Sequence, residues 1–450
     1  MTWFMTKKLT RQSFINAIAA FVRKQPPQRL VAVSFILLIL VGAALLCLPV
    51  ATYEGVTIDY MDALYMATSA STTTGLGVVN VYQTFSVFGR TVLAILMEIG
   101  GLGVTAWGAG FVLMMRRRIN LKERLLFAES MNVTSARSIA RFVVSVLTTT
   151  LAIELVGTLL CFVILMQYYP ALRAAELSVF HTIAAFNNAG MDIFGGQSIF
   201  EMRHNVWFNL VTVFIMGAGG LGFLVVRDLL DSRFRWRRLT LHSKVVLLMG
   251  GVLALVGMFF IKVTQYNNIT WLGAFFQAEA ARMAGFTTYD LSQFSNGAII
   301  VVAVWMFIGC APGSTTGGIR TTTVFVLIQQ LKVVATNREA HAFHYTVPTD
   351  AFRKAGVVTT LSLLLCLFGV FLVAWLEPQL AIRDIIFENI SAFSTAGMST
   401  GITTQYGTVA RLWFITLMFI GRVSPLTVLT MWYHSDGKRT HYPDGNITIG

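Results

Sequence analysis

Long uncharged apolar runs alternate along this chain with short segments in which hydroxyls, amides and glycines break the apolar pattern. Leu30 to Val50 holds 21 residues without a charge, and Ala355 to Leu376 is a second such run. A helix rising about 1.5 Å per residue crosses a hydrocarbon core of about 30 Å in roughly 20 residues. The first run is too long, begins too late and lacks the small-residue cleavage site of a leader peptide, so it reads as a span. The pattern predicts eight spanning helices, near 29–50, 84–115, 142–168, 204–230, 243–265, 296–334 (interrupted), 353–376 and 406–434.

Between the members of each successive pair lies a segment too short and polar to span, yet too apolar for a solvated loop. The four are "YMATSASTTTGL" (65–76), "FHTIAAFNNAGM" (180–191), "FFQAEAARMAGF" (275–286) and "FENISAFSTAGM" (387–398). They align on Gly75, Gly190, Gly285 and Gly397. Ten residues earlier stands an aromatic (Tyr65, Phe180, Phe275, Phe387), and five earlier an alanine (Ala70, Ala185, Ala280, Ala392). A large apolar residue follows each glycine: Leu76, Met191, Phe286 and Met398. The next helix carries a further glycine, aligned as Gly100, Gly217, Gly309 and Gly421. Such an internal repeat sets the fold class. The expectation is an all-α polytopic membrane protein of four M1-P-M2 units (helix, pore helix, helix). Eight spanning and four re-entrant pore helices would stand pseudo-fourfold about a central pore.

Charge supports this reading. Of 450 residues, 55% are hydrophobic and only 12% charged, against roughly 25% charged in soluble proteins. The net charge is +13, and the basic residues cluster in the N-terminal arm, 116–141, 227–244, 320–354, and at Lys438 with Arg439, while the segments between carry few. That distribution follows the positive-inside rule, which places these clusters and both termini in the cytoplasm. It favours a lipid headgroup anchor, as in "RFRWRR" (233–238), over nucleic acid. The expected organisation is a cytoplasmic arm 1–28, repeats at 29–118, 137–235, 241–340 and 351–434, and a cytoplasmic tail 435–450.

Non-helical backbone at membrane depth is tolerated only inside protein or along a water-filled cavity. Four equivalent copies therefore point to a ring of turns around a pathway. The C-terminal ends of the pore helices would face that axis, each with about half a negative charge. At about 7 Å and an effective dielectric of about 20, each contributes on the order of 1 kcal/mol to holding a cation. Backbone oxygens after each helix would replace water, and glycine permits the dihedrals and close approach required. The candidate cation-binding residues are Thr73, Thr74, Gly75 and Leu76; Asn188, Ala189, Gly190 and Met191; Met283, Ala284, Gly285 and Phe286; and Thr395, Ala396, Gly397 and Met398. Asn187, Asn188, Ser394 and the threonines 72–74 are placed to hydrogen-bond the turns from behind. In the third copy Glu279 and Arg282 are helix-face neighbours, read as an ion pair that buttresses the pore helix.

Other chemistry is scarce. The four cysteines (47, 161, 310, 366) lie in apolar surroundings without a close pair and read as small core residues. "GAGGLG" (217–222) satisfies a dinucleotide-binding pattern but has no preceding strand. No metal cluster or nucleophile–base pair marks an enzyme, and no organic cofactor is expected. The segment "GCAPGSTTGGIRTTT" (309–323) is small, polar and proline-bearing within an apolar run, and should break the sixth span near Cys310 to Gly318.

The four glycine turns resemble the selectivity filters of the Trk/Ktr/HKT superfamily of potassium transporters, over nearly the whole chain. The absence of an extra N-terminal helix pair looks like the bacterial KtrB-type membrane subunit. Glycine in all four filters implies, in that family, preference for K⁺, bound at Gly75, Gly190, Gly285 and Gly397. Na⁺ remains a second candidate ion. Residues 310–318 resemble the family's intramembrane gating loop, placing the gate at Cys310, Ala311, Pro312, Gly313, Ser314, Thr315, Thr316, Gly317 and Gly318. "IGRVSPLTV" (420–428) resembles the last-helix motif whose arginine, here Arg422, faces that loop. The tail "YPDGNITIG" resembles a dimer-interface segment. The resemblance thus implies a homodimer in the plasma (inner) membrane, bound to a cytosolic KtrA-like ring that senses ATP or ADP. The rival expectation is an ion-coupled secondary transporter using Glu98 or Glu154 as its coupling carboxylate.

Overall fold

The computed structural model describes residues 27–103, 139–196 and 198–430. The arm through residue 26, the basic stretch 104–138 and the tail from 431, on which the dimer expectation rests, lie outside the described residues.

The described residues are mostly helical. Long apolar helices α1 (Pro27–Leu46), α4 (Ile139–Leu165), α8 (Leu241–Thr264) and α12 (Thr349–Leu376) are the ones long and apolar enough, among the described residues, to cross a membrane unbroken. Each precedes a short buried helix: α2 (Tyr60–Ser71), α5 (Ala171–Phe186), α9 (Trp271–Arg282) and α13 (Ile382–Ser394). A further helix follows each turn: α3 (Val87–Leu102), α6 (Val206–Gly220), α10 (Asn296–Phe307) and α14 (Thr408–Val423). Ser86, Asn205 and Ser295 start three of these by accepting a backbone N–H within the first turn, which satisfies an otherwise orphaned donor. A two-residue hairpin, β1 (His341–Ala342) with β2 (Tyr345–Thr346), joins the third unit to the fourth.

Packing closes a circle. Each short helix packs on the long helix before it and the helix after it. Each following helix also packs on the short helix of the next unit: α3 on α5, α6 on α9, α10 on α13, and α14 back on α2. The long helices bury one narrow stripe, as in Ser362, Cys366, Gly369 and Val373 of α12. Their other faces expose Leu364, Leu367 and Phe371, as expected of an apolar helix bordering lipid. In lipid, close packing rather than water exclusion holds helices together, so small residues sit at the tightest contacts. Gly100 abuts the Ser71 carbonyl, Gly219 that of Phe186 and Gly421 that of Phe393, each four residues before its turn glycine.

Two expectations change. The second unit's counterpart of Gly100 is Gly219; Gly217 has nothing within 4 Å of a Cβ placed there. The longer segment between Met191 and Val206 shifts the register. The second helix of each unit, expected to be continuous in three, leaves the helical conformation early in all four, at Gly103, the last described residue of that stretch, in the first. The backbone turns at Gly103 (φ +86°, ψ 135°), Gly222 (φ +80°, ψ 144°) and Ser424 (φ +85°, ψ 132°), each three residues beyond the packing glycine. Gly222 separates α6 from α7 (Phe223–Asp231) by a 98° bend, and Ser424 precedes α15 (Pro425–Thr430). At the equivalent place in the third unit, residues 308–320 leave the helix before α11 (Thr321–Thr336) begins.

Candidate functional site

The four turn glycines form a closed ring. All have positive φ: +95° at Gly75, +63° at Gly190, +71° at Gly285 and +83° at Gly397. A Cβ on Gly75 would overlap the Ala189 carbonyl oxygen; on Gly190, that of Ala284; on Gly285, that of Ala396; on Gly397, that of Thr74. Each glycine thus leans on the carbonyl just before the next unit's glycine, and the fourth closes onto the first. Both the dihedral and the contact exclude a side chain.

Three of the four helix ends feeding this ring share one termination. Thr73, Asn188 and Thr395 are left-handed, with φ of +54°, +55° and +50°. The next amide reaches back five residues: Thr74 to the Ser69 carbonyl at 2.8 Å, Ala189 to Ala184 at 2.8 Å and Ala396 to Ser391 at 2.9 Å. This is a Schellman-type end, for which asparagine is a ready second choice after glycine. Threonine is not, and the two β-branched residues hold a costly conformation. The third copy departs from this: Met283 has φ −115° and ψ −91°, and the back-bond shifts by one, from Gly285 to Ala280 at 2.8 Å.

The two asparagines face different partners. The Asn187 amide donates to Glu98 Oε2 at 2.6 Å, Glu154 Oε1 at 3.3 Å and the Ile183 carbonyl at 3.0 Å, tying the end of α5 to α3 and α4. Asn188 instead faces Thr315 Oγ1 at 2.6 Å. In the first unit a serine supports the turn, Ser69 Oγ accepting the Gly75 N–H at 3.0 Å. Ser394 Oγ donates back to the Ile390 carbonyl within its own helix.

Glu279 and Arg282 form a buried ion pair at 3.3 Å, and the guanidinium also reaches the Gly250 carbonyl at 3.4 Å. The pair lines a cavity of about 270 Å³ beside α8. Removing one partner of a buried pair leaves an uncompensated charge. Arg282→Met is expected to destabilise the protein by about 3–5 kcal/mol, and Glu279→Gln added to it to recover most of that loss, read by thermal unfolding in detergent.

Residues 310–318 lie against the ends of all four short helices. The Thr315 carbonyl accepts from Thr73 Oγ1 at 2.8 Å and from Arg422 Nη1. Cys310 Sγ donates to the Arg282 carbonyl at 3.4 Å. A Cβ at Gly317 would lie 2.6 Å from Thr395 Oγ1, and one at Gly318 would lie 3.1 Å from Ser394 Cβ. Gly313 and Gly318 both take φ of +72°. Cys310, Ala311, Ser314, Thr315 and Thr316 are buried, and Pro312 and Gly313 pack on the α6–α7 bend at Gly222. Arg422 also donates to the carbonyls of Gly100 at 2.6 Å and Gly101 at 2.8 Å. Arg320 closes the segment from within, donating to the Thr316 carbonyl at 2.6 Å.

Sequence reasoning missed Gly101 and Gly220 as contacts of this assembly. The signal was the repeated four-residue register "GGLG" (100–103), "GGLG" (219–222), "GCAP" (309–312) and "GRVS" (421–424), in which Arg422 occupies the place of Gly101 and Gly220.

Residues 22–441 match the family model TrkH, described as cation transport protein. The chain is 33% identical to Ktr system potassium uptake protein B of Bacillus subtilis, covering 97% of this chain and 99% of that one. It is 31% identical to potassium/sodium uptake protein NtpJ of Enterococcus hirae, covering 95% and 98%. The crystal structure of the potassium transporter TrkH from Vibrio parahaemolyticus superposes with a TM-score of 0.71 at 16% identity, over 91% of this chain and 86% of that one.

Proposed function

This chain belongs to the TrkH family of cation transport proteins, and from that premise we propose that it takes up potassium through the ring at Gly75, Gly190, Gly285 and Gly397. The observation that carries the reading is the closed circle of glycine-on-carbonyl contacts. Four short helices end at that circle without a carboxylate in it, so peptide oxygens and helix-end dipoles are the groups available to replace water around a cation. The four M1-P-M2 units then act as one pore, with both termini cytoplasmic. Segment 310–318 is its gate, held shut by Thr73, Asn188 and Arg422. Two copies of the chain would assemble in the plasma membrane and meet a cytosolic nucleotide-binding ring. Two relatives, Ktr system potassium uptake proteins B and D of Bacillus subtilis, support that partner. Rescue of a K⁺-uptake-deficient bacterium at low K⁺, with and without such a ring, tests the reading; growth unchanged by the chain counts against it.

One observation favours a second reading, ion-coupled transport. Glu98 and Glu154 converge on the single Asn187 amide. They stand behind the second turn, however, and not in the ring. Replacing both by glutamine is therefore expected to slow K⁺ uptake by less than about tenfold, a change of about 1.4 kcal/mol, and to leave flux following the K⁺ gradient alone. Loss of uptake with the K⁺ gradient intact would favour coupling instead.

A further inference from the structure

The two faces of the glycine ring differ. One is covered by segment 310–318. Segments that follow the first two ring glycines border a cavity of about 130 Å³, lined by Gly75, Gly77, Asn80, Gly190, Met191 and Asp192. That volume holds several waters. The position two residues beyond each ring glycine is Gly77, Asp192, Thr287 and Ser399, so a carboxylate occurs in one of the four. Asp192 is half-buried. Its Oδ1 accepts the Phe194 N–H at 3.2 Å. None of the ion pairs among the described residues includes it. The charged side chains of the neighbouring elements are engaged elsewhere: Arg90 and Arg173 both pair with Glu176, and Arg173 also donates to the Ile193 carbonyl. The asparagine that shares the cavity is committed too, since Asn80 Oδ1 accepts the N–H groups of Tyr82 and Gln83 at 3.0 and 3.1 Å.

A carboxylate so placed has lost part of its hydration without gaining a cationic partner. The cavity that it faces has room for a monovalent cation with part of its water shell, and two ring glycines form its floor. We propose that Asp192 and this cavity form a separate cation-binding site, where a partly hydrated alkali cation is held before it enters the ring. This rests on the ring being the conduction path. The site concentrates cations at the entrance and sheds part of their water, while the ring does the discriminating.

Asparagine at 192 keeps the acceptor for the Phe194 N–H and removes only the charge. In the full chain, expressed in a bacterium without other K⁺ uptake, Rb⁺ entry is measured against outside Rb⁺ concentration. Asp192→Asn is expected to raise the half-saturating concentration about tenfold, the lower end for a charged cleft, with the maximal rate within about twofold of wild type. Asp192→Glu should recover most of that affinity. An unchanged half-saturating concentration overturns the proposal. So does an equal proportional loss at all concentrations, or a loss that Asp192→Glu does not relieve, since either marks a structural role. If Asp192→Asn is silent while Gly190→Ser still relaxes selectivity, the outer site alone falls. If both are silent, the ring falls with it.

Discussion

Gly190→Ser is expected to lower K⁺-over-Na⁺ discrimination by at least about tenfold, a loss of about 1.4 kcal/mol between the two ions. Two constraints act at that position. The backbone has φ +63°, which an L side chain rarely adopts, and a Cβ would overlap the Ala284 carbonyl oxygen. Relief requires the second and third turns to separate, which enlarges the ring and removes an oxygen from its place. A wider ring penalises the smaller, more strongly hydrated Na⁺ less than before. Gly75→Ser should act alike through the Ala189 carbonyl. Gly217→Ser is the control, because a Cβ there meets nothing within 4 Å. Paired Rb⁺ and Na⁺ flux measurements decide the matter. Unaltered selectivity in Gly190→Ser, or an equal change in Gly217→Ser, would remove the ring from the mechanism.

The ring was legible in the sequence because its requirement is the absence of an atom. Only glycine meets it, so the same letter recurs in four otherwise different segments. The alanines five residues earlier are similarly constrained, and Ala70, Ala185, Ala280 and Ala392 are all fully buried. The helix breaks were less visible. Apolar periodicity continues through Gly103 and Gly222, and hydropathy does not register a φ of +86° or +80°. The breaks show only when the units are superposed at Gly100 and Gly219. Alignment on Gly217 conceals that register, and "GAGGLG" (217–222) reads only as a nucleotide motif without its strand. Side-chain direction was not legible either. Asn187 and Asn188 are adjacent letters, yet a helical residue followed by a left-handed one sends their amides apart, to a carboxylate pair and to segment 310–318.

Shortening segment 311–317 should raise K⁺ flux by at least about tenfold and remove its dependence on a cytosolic partner. The segment is held by the contacts at Thr315: the hydroxyl of Thr73, the amide of Asn188 and the guanidinium of Arg422. Neutral hydrogen bonds contribute about 1 kcal/mol each, and those to a charged donor about 1.5–3 kcal/mol. If the segment is the proposed gate, their sum, a few kcal/mol, would keep it across the pathway most of the time and still let a bound partner displace it. Arg422→Ala isolates the largest contribution. It removes one of the two donors to the Thr315 carbonyl and leaves those of Gly100 and Gly101 without theirs. It should therefore increase basal flux by roughly tenfold, each 1.4 kcal/mol of lost restraint being a tenfold gain in the open population. Thr73→Val removes one neutral bond and should give a smaller rise. The order of effects, deletion above Arg422→Ala above Thr73→Val, follows from the bonds each one breaks. Flux unchanged by the deletion would show that ions bypass the segment, and a reversed order would show that Thr315 is not where it is held.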